Sequence, residues 1–249
     1  MEKEKVQRTR HDFFYFLISM RFYTNYDNTL KDNYGDDYLS KVENLQEKIS
    51  KVEKKQYSRK EMDKILENIG FRDFSISFFQ LRAYGTITIV FSALCLEALI
   101  NDYCITKKSA NYFNQYIDKL DPPSKWLLIP QLITGKEFSS DSKAFELIKN
   151  LFSTRNKLVH PKSKQLGQIN IHDKGNPLLK DFTQLLSNVP KSFRTIKEAT
   201  QELHKIDPSF KHLAEYEWLW NGDMSKFKNL SDPESLYLSM IDGLSFNIQ

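Results

Sequence analysis

Apolar positions recur at steps of three and four along most of the chain, which is the period of a buried helix face. Residues 6 to about 28 carry Phe13, Phe16, Leu17, Met20 and Tyr23 at this spacing and predict a first helix. Asn25 to Gly35 is polar and holds the first glycine, so a turn is expected there. From 37 to 56, Val42, Leu45, Ile49 and Val52 form a narrow seam among Lys, Glu and Gln, suited to an antiparallel hairpin with the first helix. Ser58 and Glu61 form a capping-box pattern at the head of a short helix that ends at Gly70.

The stretch from Ser75 to about Ile105 is apolar on nearly every side, as a central helix must be, and Gly85 is expected to give a kink or a close crossing. A helix over about Ser109–Leu120 is stopped by Asp121-Pro122-Pro123, and Pro123 suits the first turn of a helix over Ser124–Ile133 that ends near Gly135. Pro130 is expected to bend or shorten it. Asp141 or Ser142 caps a helix running to about His160, where Pro161 stops it. Leu166 to Asn176 reads as loop. A long helix over about Leu178–Ile206 follows, kinked or split at Val189-Pro190, then short helices near 209–220 and 232–242. The expected architecture is all-α: a helical domain over 71–206, a helical hairpin extension over 1–70 and a helical extension over 207–249.

Composition adds limits. The chain has 249 residues, 18 Phe, 12 Tyr, and eight each of Gly and Pro, which favours long ordered helices over disorder or many short strands. The net charge of +4 admits an anionic partner such as RNA without requiring one. Cys95 and Cys104 stand about 13 Å apart if they share a helix, too far for a disulfide. They read as small buried hydrophobes in a reducing compartment. With no second Cys pair or Cys/His cluster, no metal site and no cofactor is expected. The Phe13–Met20 run lacks a signal-peptide pattern. Ile87–Ile105 has the length of a membrane span, but its Glu97, Asn101 and Asp102 favour a core helix, so a soluble cytoplasmic protein without membrane contact is expected.

The chemistry lies at Phe145–His160. On an ideal helix, Ile148, Leu151, Phe152, Leu158 and Val159 share one face with Arg155 in its middle, an expensive position for a guanidinium without a partner. Asn156 and His160 sit four apart at the edge of that stripe. On the central helix, Glu97 lies among Val90, Ala93, Leu94 and Cys104 with Asn101 one turn on, and a carboxylate buried there needs a cation. Glu97 and Arg155 are therefore expected to approach each other. His172, His204 and His212 read as surface or packing residues, and Trp126, Trp218 and Trp220 as core or hinge aromatics.

Arg155-Asn156-Lys157-Leu158-Val159-His160 resembles the signature of the HEPN domain, Arg, four to six residues, then His, often with Asn after the Arg. Phe91–Asn101 is similar to that family's long central helix with its acidic position, and the Lys125-Trp126 helix, a variable connector and the Arg-Asn helix follow in the family's order. The resemblance spans roughly 75–165. It implies a helical bundle that dimerises, with Arg and His of both subunits meeting in a cleft that cuts RNA without metal. In that chemistry His160 takes the ribose 2′-OH proton, Arg155 stabilises the phosphate, and Asn156 orients His160 or binds phosphate, with Glu97 and Asn101 in support. Lys157, Lys162 and Lys164 would give a basic rim for the RNA backbone. Expected partners are RNA, a second copy of the chain, and an antitoxin or other regulatory protein, in a toxin or defence role. The family branch with a Tyr two residues after the His is not matched, since Lys162 stands there.

Two considerations pull the other way. Residues five apart lie about 140° apart around a helix, so Arg155 and His160 share one phosphate only if the last turn loosens or a second subunit contributes. Arg155 with Glu97 is also accounted for as a buried ion pair, and His160 as a residue at a helix C-terminus. That combination describes a non-catalytic module for RNA binding, protein interaction or dimerisation.

Overall fold

A computed structural model describes residues 11–34, 58–68, 71–160 and 177–216, with isolated positions 40, 44, 47 and 48. The described elements are α1 (His11–Tyr34), α2 (Arg59–Asn68), α3 (Phe71–Lys107), a short α4 (Ala110–Tyr112) continued by a π-turn (Phe113–Ile117), α5 (Pro122–Thr134), α6 (Lys143–Val159), α7 (Pro177–Ile206) and a 3₁₀ segment (Lys211–Tyr216). No strand occurs among the described residues, so the all-α expectation holds there. Most of the seam over 37–56, the loop over 166–176 and the helix near 232–242 lie outside the described residues.

The apolar stretch becomes the axis of the fold. Leu81, Ile89, Ala93, Leu96, Leu99, Ile100 and Tyr103 of α3 have no exposed surface, because α1, α5, α6 and α7 all pack against this helix. By length and composition Ser77–Lys107 qualifies as a membrane span, and half of its apolar window is buried inside the protein. Phe16, Leu17 and Met20 of α1 enter the same core, so the first helix of the expected N-terminal extension packs into that core. Cys95 and Cys104 are both buried and form no disulfide with each other, and burial pushes the Cys104 thiol up.

The expected turn after Asn25 does not form; α1 continues to Tyr34. Its polar residues occupy the open side of a helix whose other side stays in use. Tyr23 stacks on Phe193 of α7 at 4.8 Å, and Tyr26 is buried. The Tyr26 hydroxyl donates to the Leu186 carbonyl at 3.4 Å. Leu186 is four residues before Pro190, whose missing N–H leaves that carbonyl without its helical donor. Tyr26 thus supplies from α1 what Pro190 removes, and α7 is not split.

The other helix ends are set by local chemistry. The helix expected over 109–120 is one α-turn followed by the π-turn, in which Asp118 N–H bonds to Phe113 O. The wider turn carries both Phe113 and Ile117 into the core. Asp121 caps α5 by accepting from Ser124 N–H at 3.0 Å, and Pro122 and Pro123 occupy its first turn, as expected for Pro123. The helix passes through Pro130 and closes on Gly135 at φ 73, the left-handed conformation that glycine adopts without strain. At α2, Ser58 N–H bonds to Glu61 at 2.8 Å, as the capping box requires. At α6, of the two expected candidates Ser142 is the cap, accepting from Phe145 N–H at 3.1 Å.

Candidate functional site

The amphipathic pattern of α6 decides what its chemical residues face. Ala144, Phe145, Ile148, Leu151 and Phe152 are buried against α3, α5 and α7. Arg155, next in that stripe, is carried toward α3. Its Nη2 stands 3.5 Å from Glu97 Oε2, with about a quarter of each side chain exposed (23% and 28%). The expected approach of these residues is therefore present, but Glu97 is not the fully buried carboxylate the apolar pattern suggested. Partial solvation makes the pair worth on the order of 1 kcal/mol rather than the several of a sealed one.

The rest of the guanidinium is also engaged or enclosed. Nη1 donates to Asn156 Oδ1 at 3.0 Å, while Nε is buried with no acceptor. Asn101, one turn beyond Glu97, buries its Oδ1 without a donor. Among the described residues these two buried polar atoms lack a protein partner, a costly arrangement in a small region. Asn156 meets Arg155 through its side chain and His160 through its backbone, since its carbonyl accepts the His160 N–H at 2.9 Å.

His160 ends the helix. Its φ of −118 and ψ of 66 leave the helical path, while its N–H still closes the last turn on the Asn156 carbonyl. The imidazole is exposed and has no hydrogen-bond partner among the described residues. Within one chain Arg155 turns inward and His160 outward; the two side chains do not meet. Lys157 is exposed on the same turn. Lys162 and Lys164 lie outside the described residues.

Sequence reasoning missed two polar assemblies. His212 Nδ1 lies 2.8 Å from Asp102 Oδ2, a contact across 110 positions that no local pattern announces. Asp207 is 7% exposed and receives Tyr103 OH at 2.9 Å, Lys107 Nζ at 2.9 Å and Ser209 N–H at 3.0 Å. Burial pushes this carboxyl up, but the bonds from Lys107, Ser209 and Tyr103 outweigh it and hold the group at about 2. Both assemblies fasten the chain after α7 to the end of α3. Trp126 is fully buried, as a core aromatic.

A cleft of about 270 Å³ also opens between α6 and α7 over Ile89 of α3, with Lys157 on its rim. Its lining comes from two helices some 30 positions apart, so no single window of sequence displays it. Comparison of the chain with protein-family models, with curated proteins and with solved structures finds no match in any of the three.

Proposed function

We propose that the chain is a cytoplasmic, metal-independent endoribonuclease of the HEPN type that acts as a homodimer. The observation that carries this reading is the contrast at the end of α6: Arg155 is held by Glu97 and Asn156, while His160 leaves the helix with an exposed ring that has no partner among the described residues. An exposed imidazole can reach a substrate proton and act as a general base. It takes the proton of a ribose 2′-OH; the 2′-oxygen forms a bond to the adjacent phosphorus; the P–O5′ bond breaks. The 5′-oxygen needs a proton in return, which a second His160 from the other copy supplies. Arg155 lies behind the phosphate and balances the charge that gathers on its oxygens.

The dimer follows from the same contrast, since the separation of Arg155 and His160 within one chain asks for a second copy to complete the site. An antitoxin or other regulatory protein as a further partner, and a toxin or defence role, rest on the family resemblance. Cutting of RNA in EDTA that is lost in His160→Ala tests the reading.

One observation favours a second reading, a non-catalytic module for RNA binding or dimerisation. Every nitrogen of Arg155 is bonded or buried, as in a residue that only supports the α3–α6 contact. In that case His160→Ala and Arg155→Ala leave the cellular effect unchanged.

A further inference from the structure

The α6–α7 cleft has the chemistry of a ligand site. Its floor is apolar, made by Ile89, Leu147 and Leu151. Its rim carries Asn150 and Lys157 from α6 and Gln184, Asn188 and Lys191 from α7. No carboxylate lines it among the described residues. Three of the four lining hydroxyls are already committed: Thr154 donates to Asn150 O, Ser192 to Val189 O and Thr195 to Lys191 O, while Ser153 is exposed. The three carboxamides and two ammonium groups have no side-chain partner among the described residues, so they are the groups left to recognise something.

Each of these features narrows the ligand. Two lysines without a counter-ion select an anion. Carboxamides offer a donor and an acceptor side by side, the pattern that matches a nucleobase edge. An apolar floor accepts the face of a base. The volume lies near the ~300 Å³ at which small-molecule sites begin, enough for one nucleotide. An RNA duplex fits poorly, because its deep, narrow major groove keeps side chains from the base edges there.

We propose that this cleft is a subsite for one unpaired nucleotide of single-stranded RNA, with Lys157 and Lys191 on flanking phosphates and Asn150, Asn188 and Gln184 at the base. The inference rests on the ribonuclease reading and deepens it: Lys157 stands three residues from His160, so the subsite takes a nucleotide beside the scissile phosphate. Specificity for a base next to the cut would then come from Asn150 of α6 with Gln184 and Asn188 of α7, not from the Arg155–His160 segment.

The test separates binding from cutting. Full-length His160→Ala protein is titrated with a fluorescent eight-nucleotide RNA of mixed sequence, and anisotropy is read across a salt series. Adding Lys191→Gln is expected to weaken binding about three- to tenfold near 0.1 M salt and to flatten the log–log salt slope by about 0.7, one phosphate's share for a single strand. Asn188→Ala is expected to weaken it about fivefold for some base compositions and little for others. Lys143→Gln, the same charge change at the far end of α6, stays within about twofold. Equal binding by the Lys191→Gln and Asn188→Ala variants overturns the subsite, as does binding of poly-glutamate as tight as RNA, or no RNA binding at low salt. The parent reading fails separately: if His160→Ala still cuts RNA while the cleft variants lose binding, the subsite stands and the proposed base does not.

Discussion

Arg155 and Glu97 join α6 to α3 through Nη2 and Oε2 at 3.5 Å, at the outer edge of a hydrogen bond. Such a pair is held by geometry around it as much as by its own attraction. A double-mutant cycle of Glu97→Gln and Arg155→Ala is expected to give a coupling of about 0.5–1 kcal/mol in urea unfolding. Arg155→Ala alone costs more than the coupling, because it also removes the side chain's packing. A coupling above about 3 kcal/mol would show a sealed pair instead.

Gly85 marks the closest approach of α3 and α7. A Cβ added there falls 2.8 Å from Val189 Cγ2 and 3.5 Å from Leu185 Cγ. Val189 has no exposed surface, and a β-branched side chain has few rotamers into which to retreat. Gly85→Ala is expected to destabilise by about 1–2 kcal/mol, the overpacking cost less the ~1 kcal/mol that alanine gains in a helix. In a Val189→Ala background the same substitution becomes neutral or stabilising. Thermal or urea unfolding of the four proteins checks the reversal of sign.

The residues that were legible in the sequence share one property: their partners lie within a turn or on the same face. Ser58 with Glu61 and Ser142 with Phe145 are spaced for capping. The all-round apolarity of α3 announces an axis, and a guanidinium in an apolar stripe announces a need for Glu97. The illegible features depend on distant neighbours. Asn25–Tyr34 reads as a turn until Phe193 and the Leu186 carbonyl are brought against Tyr23 and Tyr26. The depth of Glu97 was misjudged because periodicity gives the direction of a side chain, not the extent of its cover. His212 with Asp102, and the α6–α7 cleft, exist only once the helices are packed.

Asp207 makes stability depend on pH in a stated direction. Its folded value of about 2 lies below the ordinary 3.8, so the unfolded chain binds the proton first. The stabilisation is fully present above about pH 5, shrinks as pH falls through 4, and is lost below 2. Its size is on the order of 2 kcal/mol. The stability difference between the parent and Asp207→Asn, measured in urea from pH 6 to 2.5, is expected to be flat at first and then to fall. A difference that grows on acidification would overturn the assignment.

Dimerisation should run through the end of α6. Val159 is 45% exposed beside the open His160 ring, an apolar contact at the point where a composite site needs a second copy. Sedimentation at micromolar concentration is expected to give a dimer, and Val159→Lys to shift it toward monomer without loss of helicity. A monomer at every concentration tested counts against the composite site.

RNA cleavage itself is the most demanding prediction. The proposed step uses the 2′-OH as nucleophile, so cutting should leave a cyclic or 2′/3′-phosphate and a 5′-OH, and DNA should stay whole. It should persist in EDTA, because His160 and Arg155 supply both the proton transfer and the charge stabilisation. His160→Ala should lower the rate by about 10²–10⁴-fold, the usual contribution of a positioned acid–base group. It should do so with unchanged stability, since the ring is exposed at a helix end. Arg155→Ala should also lose activity, but with a measurable loss of stability from the α3–α6 contact. The contrast between the two variants carries the weight: a structural Arg155 with an idle His160 gives destabilisation in one, no effect in the other and no cutting in the parent. Product ends bearing 3′-OH, cutting that requires a divalent ion, or full activity in His160→Ala would each remove the proposed chemistry.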